Sequence, residues 1–174
     1  MVFFSVEHCC AVDSTIVLAN LNLFNTLTNS VRSKHLFQLC SVPSLVHKCE
    51  ELRTSMDSEC YRLLNKAIAS LLLLPWQSVS NQEWDERNNL FSVYMSNLLS
   101  QLYQSVTRPA QLVQYIRVLN DQLDLLKVES SFSKKMSWSI LKDAVPFLQN
   151  LLSTYLGHPG KLRNIQYHLK FFLN

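Results

Sequence analysis

Glu83, Asp85 and Glu86 stand close together in the chain and are the first place to look for acid–base chemistry. Such chemistry needs two carboxyl groups whose surroundings push their proton affinities apart. The local spacing offers a simpler role. Ser80 lies three residues before Glu83, the spacing of a capping box, in which the hydroxyl accepts from one end-of-helix amide and the carboxylate from another. Val79 and Trp84 occupy the positions of a hydrophobic staple. Asp85 and Glu86 then fall in a first helical turn, where negative charge suits the helix dipole. Asp121 and Asp124, one helical turn apart with Lys127 following, read as an exposed helix face.

The remaining reactive residue types form no constellation. The five histidines (His8, His35, His47, His158, His168) show no H-x-x-x-H spacing. The five cysteines (Cys9, Cys10, Cys40, Cys49, Cys60) contain no C-x-x-C pair, so a zinc site lacks its closely spaced ligands. An odd, scattered set fits reduced, partly buried thiols in an intracellular compartment. No G-x-S-x-G elbow is present, and two glycines in 174 residues exclude a glycine-rich phosphate loop. No catalytic residue, metal ligand or cofactor site is expected, and the chain is read as a non-enzyme. Trp76, Trp84 and Trp138 could anchor a partner, but each falls on an apolar face or at a capping position, which favours core roles. No protein-binding residue is assigned.

The elements that must position these residues are helices. Apolar residues make up 48% of the chain and charged residues 17%. That is ample apolar surface for a packed core, and the scarcity of glycine disfavours a turn-rich β fold. From Ser14 a helix is expected with Ile16, Val17, Leu21, Phe24 and Leu27 inward, weakened somewhat by Asn20, Asn22 and Asn25. A short one follows over Val31–Cys40 with Leu36 and Leu39 inward. Another covers Ser44–Thr54, with Pro43 near its start and Leu45, Val46, Cys49 and Leu52 on one side. Asp57 is placed to cap the next, whose apolar positions run from Leu63 to Leu72.

Pro75 ends that helix by removing an N–H and disfavouring helical geometry at Leu74. A long helix from Asn81 to about Gln104 follows, with Phe91, Met95, Leu98 and Leu102 on one face. Pro109 opens another, with Leu112, Ile116, Leu119, Leu123 and Leu126 in 4-3-4-3 spacing. After Ser130, Ser131 and Ser133, Trp138, Leu141, Val145, Leu148, Leu152 and Tyr155 continue the pattern around an internal Pro146. Gly157 and Pro159 stop it, and a last helix is expected from Lys161.

Helix starts near 31, 82 and 133 recur at about fifty residues, somewhat above the period of HEAT or armadillo repeats. The expected fold is therefore all-α: a HEAT-like α-solenoid of antiparallel helix pairs, with residues 1–174 part of one array and 1–56 its least marked portion. The chain reads as a section of something longer. Net charge is +3, too small to imply a nucleic-acid partner. From Lys134 onward, Lys134, Lys135, Lys142, Lys161, Arg163 and Lys170 face Asp143 alone, a basic stretch that is either a solvated surface or a match for an acidic partner. No run reaches the eighteen apolar residues of a membrane span, and the N-terminus lacks the basic region of a signal peptide.

The run Leu71–Leu74, Pro75 and Trp76, the short polar corner after it, then Gln82, Glu83, Trp84 and Arg87, resembles the importin-β family of nuclear transport receptors, specifically its exportins. Residues 57 to about 156 carry the likeness. It implies a stack of HEAT repeats within a receptor several times longer. Such a receptor binds Ran-GTP and protein cargo together in the nucleus, passes nuclear pore proteins, and releases both ligands in the cytoplasm. Within the family the likeness is to the receptor for actin bound to profilin. The family's Ran-binding region lies mostly in its N-terminal repeats, and nothing here matches it. On residue chemistry alone, the competing reading is a generic helical scaffold or adaptor mediating protein–protein interaction.

Overall fold

A computed structural model of the chain describes residues 14–30, 34–39, 42–73, 80–127, 142, 144–151 and 153. Among them the elements are α1 (Ser14–Ser30), α2 (Lys34–Leu39), α3 (Val42–Ser55), α4 (Ser58–Leu73), α5 (Asn81–Gln104), a single 3-10 turn (Ser105–Thr107) and α6 (Pro109–Lys127). A further helical run covers 144–151. The described residues contain no strand, and the fold is all-α.

The order of packing identifies the architecture. α4 packs against α1, α3, α5 and α6, while α3 packs against α5 and α5 against α6. Setting aside the short α2, α3, α4 and α5 each meet their successor, and α1, α3 and α4 each meet the next helix but one. Alternate helices thus fall into two layers, α1–α4–α6 and α3–α5. Only Met56 and Asp57 separate α3 from α4, and one 3-10 turn with Arg108 separates α5 from α6, so each pair must fold back on itself. Two stacked layers of hairpin-joined helices are the solenoid-like arrangement expected from the sequence.

Local chemistry sets the helix ends. Asp57 Oδ1 accepts from the amides of Glu59 and Cys60, both at 2.9 Å, so it caps α4 as its position requires. The Ser80–Glu83 capping box at the start of α5 is complete. The Glu83 amide donates to Ser80 Oγ at 3.3 Å, and the Ser80 amide donates to Glu83 Oε2 at 2.9 Å. The corner at 74–79, with Pro75, Trp76 and Val79, lies outside the described residues, as do Trp138 and the helix expected from Lys161.

The core runs continuously along both layers. In α3 it takes Val42, Leu45, Val46, Cys49 and Leu52; in α5 it takes Phe91, Tyr94, Met95, Leu98, Leu99 and Leu102. These match the expected faces. Leu112, Ile116 and Leu119 of α6 are buried as expected, joined by Tyr115 and Val118; the side chains of Leu123 and Leu126 are outside the description.

Two expected faces are corrected. In α1, Ile16 is 52% and Leu27 40% exposed. The buried face is Val17, Leu21, Phe24, Asn25 and Thr28, because α1 meets α4 along one side only. In the 144–151 run, Ala144, Leu148 and Leu151 are buried while Val145 is only half-buried. That rotation leaves Pro146 exposed, so the carbonyl its ring deprives of a partner can turn to water.

Candidate functional site

The most developed polar arrangement is a buried joint between the two layers. Asn65 of α4 is its centre. Its Oδ1 accepts from Tyr94 OH of α5 at 2.8 Å and from the Cys49 thiol of α3 at 3.4 Å. Its amide donates to the Tyr61 carbonyl at 2.7 Å. Tyr94 OH in turn accepts from Gln122 Nε2 of α6 at 3.0 Å. One polar side chain from each of α3, α4, α5 and α6 is thereby joined in a single chain. A small cleft lined by Val46, Cys49, Glu50, Tyr61, Asn97 and Leu98 opens beside it.

Glu50, at the rim of the joint, accepts from Tyr115 OH of α6 at 2.6 Å and from Tyr61 OH at 3.4 Å, and it pairs with Arg53. Tyr61 and Tyr115 meet edge to face at 6.5 Å, and the Arg53 guanidinium lies 5.9 Å from the Tyr115 ring centre. A second tie crosses from α4 to α6. Arg62 grips Asp121 with both ends of its fork, at 2.6 and 3.1 Å, and also reaches Glu59 at 3.1 Å. This corrects the expectation for Asp121, which is 8% exposed and pairs across helices. Spacing places it on the same turn as the exposed Asp124 but cannot show that α4 lies against only one of them.

The electrostatics of the joint suit structure. Burial pushes the Cys49 thiol up to about 12, which holds it as the protonated thiol that donates to Asn65. Burial likewise raises the Tyr61, Tyr94 and Tyr115 hydroxyls above their ordinary value, keeping them protonated and able to donate. None of these groups is poised to exchange protons near pH 7.

The other sequence-marked residues do not gather. Glu83 serves the cap; Asp85 and Glu86 are exposed on the first turns of α5. His35 and His47 are exposed on α2 and α3. The described residues contain no group of histidine, cysteine and acidic side chains able to hold a metal ion, and no described helix is long and apolar enough to cross a membrane. Trp84 is half-buried, its ring 4.7 Å from the guanidinium of the fully buried Arg87. Of the basic C-terminal stretch only Lys142 is described, and it is exposed. Sequence reading missed Asn65, Tyr94 and Gln122 as a polar unit. The available signal was polar residues on otherwise apolar helix faces, at Asn65 and Gln122.

Comparison with known proteins adds a second line of argument. The chain is 25% identical to Exportin-6 of Danio rerio over 173 residues, covering 93% of this chain and 15% of that protein. It is 24% identical to Exportin-6-A of Xenopus laevis over 181 residues, with the same coverage. The relationship is exportin-like and distant. The chain spans about 15% of the length of these curated relatives. No family model matches the chain, and no solved structure matches it.

Proposed function

We propose that the chain is one section of a HEAT-like α-solenoid in an exportin-like nuclear export receptor, and that it works by binding proteins and not by catalysis. The observation that carries this reading is the reach of the exportin similarity, which spans 93% of the chain and so extends well beyond the corner at 71–87. The two-layer order of the helices is the architecture such a receptor needs. Residues 1–174 then form part of one array.

In this reading Ran-GTP and a protein cargo bind the whole receptor in the nucleus, and both leave in the cytoplasm. Each ligand favours the same curvature of the array, so each strengthens the binding of the other, and the coupling is reciprocal. Nuclear pore proteins are contacted in passage. Actin bound to profilin is the cargo to test first, with the basic stretch from Lys134 a candidate for contact with acidic protein surface.

The test is capture from nuclear extract by the protein in its full natural length, with and without Ran loaded with a non-hydrolysable GTP analogue. Cargo retained only when Ran is loaded is the expected result. Cargo capture indifferent to Ran overturns the proposal.

A further inference from the structure

We propose that α3, α4, α5 and α6 move as one rigid unit, locked by the hydrogen-bonded chain Cys49–Asn65–Tyr94–Gln122, so that any change of curvature is taken up outside them. The inference does not depend on the export reading. It rests on where the chain runs. Cys49 to Asn65 crosses the α3–α4 seam, Asn65 to Tyr94 the α4–α5 seam, and Tyr94 to Gln122 the α5–α6 seam. All four side chains are buried: Cys49 is 7%, Asn65 1%, Tyr94 2% and Gln122 1% exposed. Arg62–Asp121 ties α4 to α6 directly, and Tyr115–Glu50 ties α6 back to α3, closing the set on itself.

Apolar seams hold helices together without fixing their register, because the attraction is non-directional. Helices across such a seam shift by about 1–2 Å in many conformational transitions. A hydrogen bond of 2.8–3.0 Å, such as those at Tyr94, does not survive a slide of that size. Losing it here strands a buried polar group, the costly half of hydrogen-bond energetics. Tyr94 OH is the critical atom, since it joins the α3–α4 half of the chain to α6.

Hydrogen exchange of the intact protein, followed by mass spectrometry across a mild denaturant series, tests the lock. In the unaltered protein, the slowest amides of all four helices are expected to open together, with one protection factor and one denaturant dependence. Tyr94→Phe keeps the ring and removes the hydroxyl. It is expected to split the unit, with α6 exchanging about tenfold faster than α3 and α4. Gln122→Met removes only the Tyr94–Gln122 bond and leaves Tyr94 on Asn65, so it should loosen α6 while α5 stays with α3 and α4. Leu98→Ala, a cavity in the same core, should instead lower protection in all four helices together. Separate opening of the four helices in the unaltered protein overturns the proposal. So does uniform loss in both Tyr94→Phe and Gln122→Met, indistinguishable from Leu98→Ala.

Discussion

α1 and α4 lie side by side, have nearly the same length and are both rich in leucine, yet they are treated in opposite ways. α4 is closed in by α1, α3, α5 and α6, and every residue from Ala67 to Leu73 is buried. Even Asn65 and Ser70 are taken inside, the first into the polar joint and the second onto the Lys66 carbonyl. α1 leaves Ile16, Leu23 and Leu27 between 40 and 52% exposed, and along its 17 residues carries no charge. Its tie to α4 includes Asn25, which donates to the Leu63 carbonyl at 2.9 Å. Burial in an array follows from how many neighbours a helix has and only secondarily from its own hydropathy.

The sharpest test of this contrast is a matched pair of truncations. Ile68→Ala in α4 removes a side chain with no exposure and is expected to cost about 3–4 kcal/mol. Leu23→Ala on the outer side of α1 should stay within about 0.5 kcal/mol. Urea melts of the two variants measure the difference, and equal costs would remove the distinction between the helices.

A smaller effect is expected at the α4–α6 seam. Asp121→Ala leaves Arg62 without its inter-helix partner, and a loss of about 1–2 kcal/mol is expected, since the pair is partly screened by solvent. High salt should narrow the gap between this variant and the unaltered protein. A salt-independent gap would mean that packing, and not charge, holds the seam.

At the helix ends, Ser80→Ala breaks the capping box and should lower stability by about 1 kcal/mol in thermal melts. Trp84→Ala should also destabilise, because its ring carries the Arg87 guanidinium; an unchanged melt would deny that contact any weight.

The smallest effect concerns pH. The Asp57 carboxylate sits below its ordinary value because the Cys60 thiol and amide, and then the Glu59 amide, donate to it. A lowered folded-state value means a contribution present above the ordinary carboxylate range and lost as pH falls below about 4. Asp57→Asn keeps a cap without a titrating group, so its stability should fall less over that interval in acid titrations followed by circular dichroism.

How far the sequence reached can be judged at particular residues. Ser80 with Glu83 marked the start of α5, and Asp57 that of α4, because capping is a contract between residues two or three apart. The faces of α3 and α5 were legible because each carries a single dominant apolar stripe. Asp121 was not, since a carboxylate beside Asp124 and Lys127 looks like any solvated surface until Arg62 is brought to it from 59 residues away. Ile16 and Leu27 erred in the other direction, as apolar residues at helical spacing that the fold leaves in water.

By itself, then, the sequence determined that this protein is helical, where most of its described helices begin and end, and which stripes of α3, α5 and α6 turn inward. Those properties depend on interactions spanning a few residues. Only the tertiary structure decided that α4 is enclosed and α1 is not, that alternate helices stack in two layers, and that Cys49, Asn65, Tyr94 and Gln122 share one chain of hydrogen bonds. Partners in those contacts are 16 to 29 residues apart, and no local periodicity encodes which of several compatible helix faces will meet.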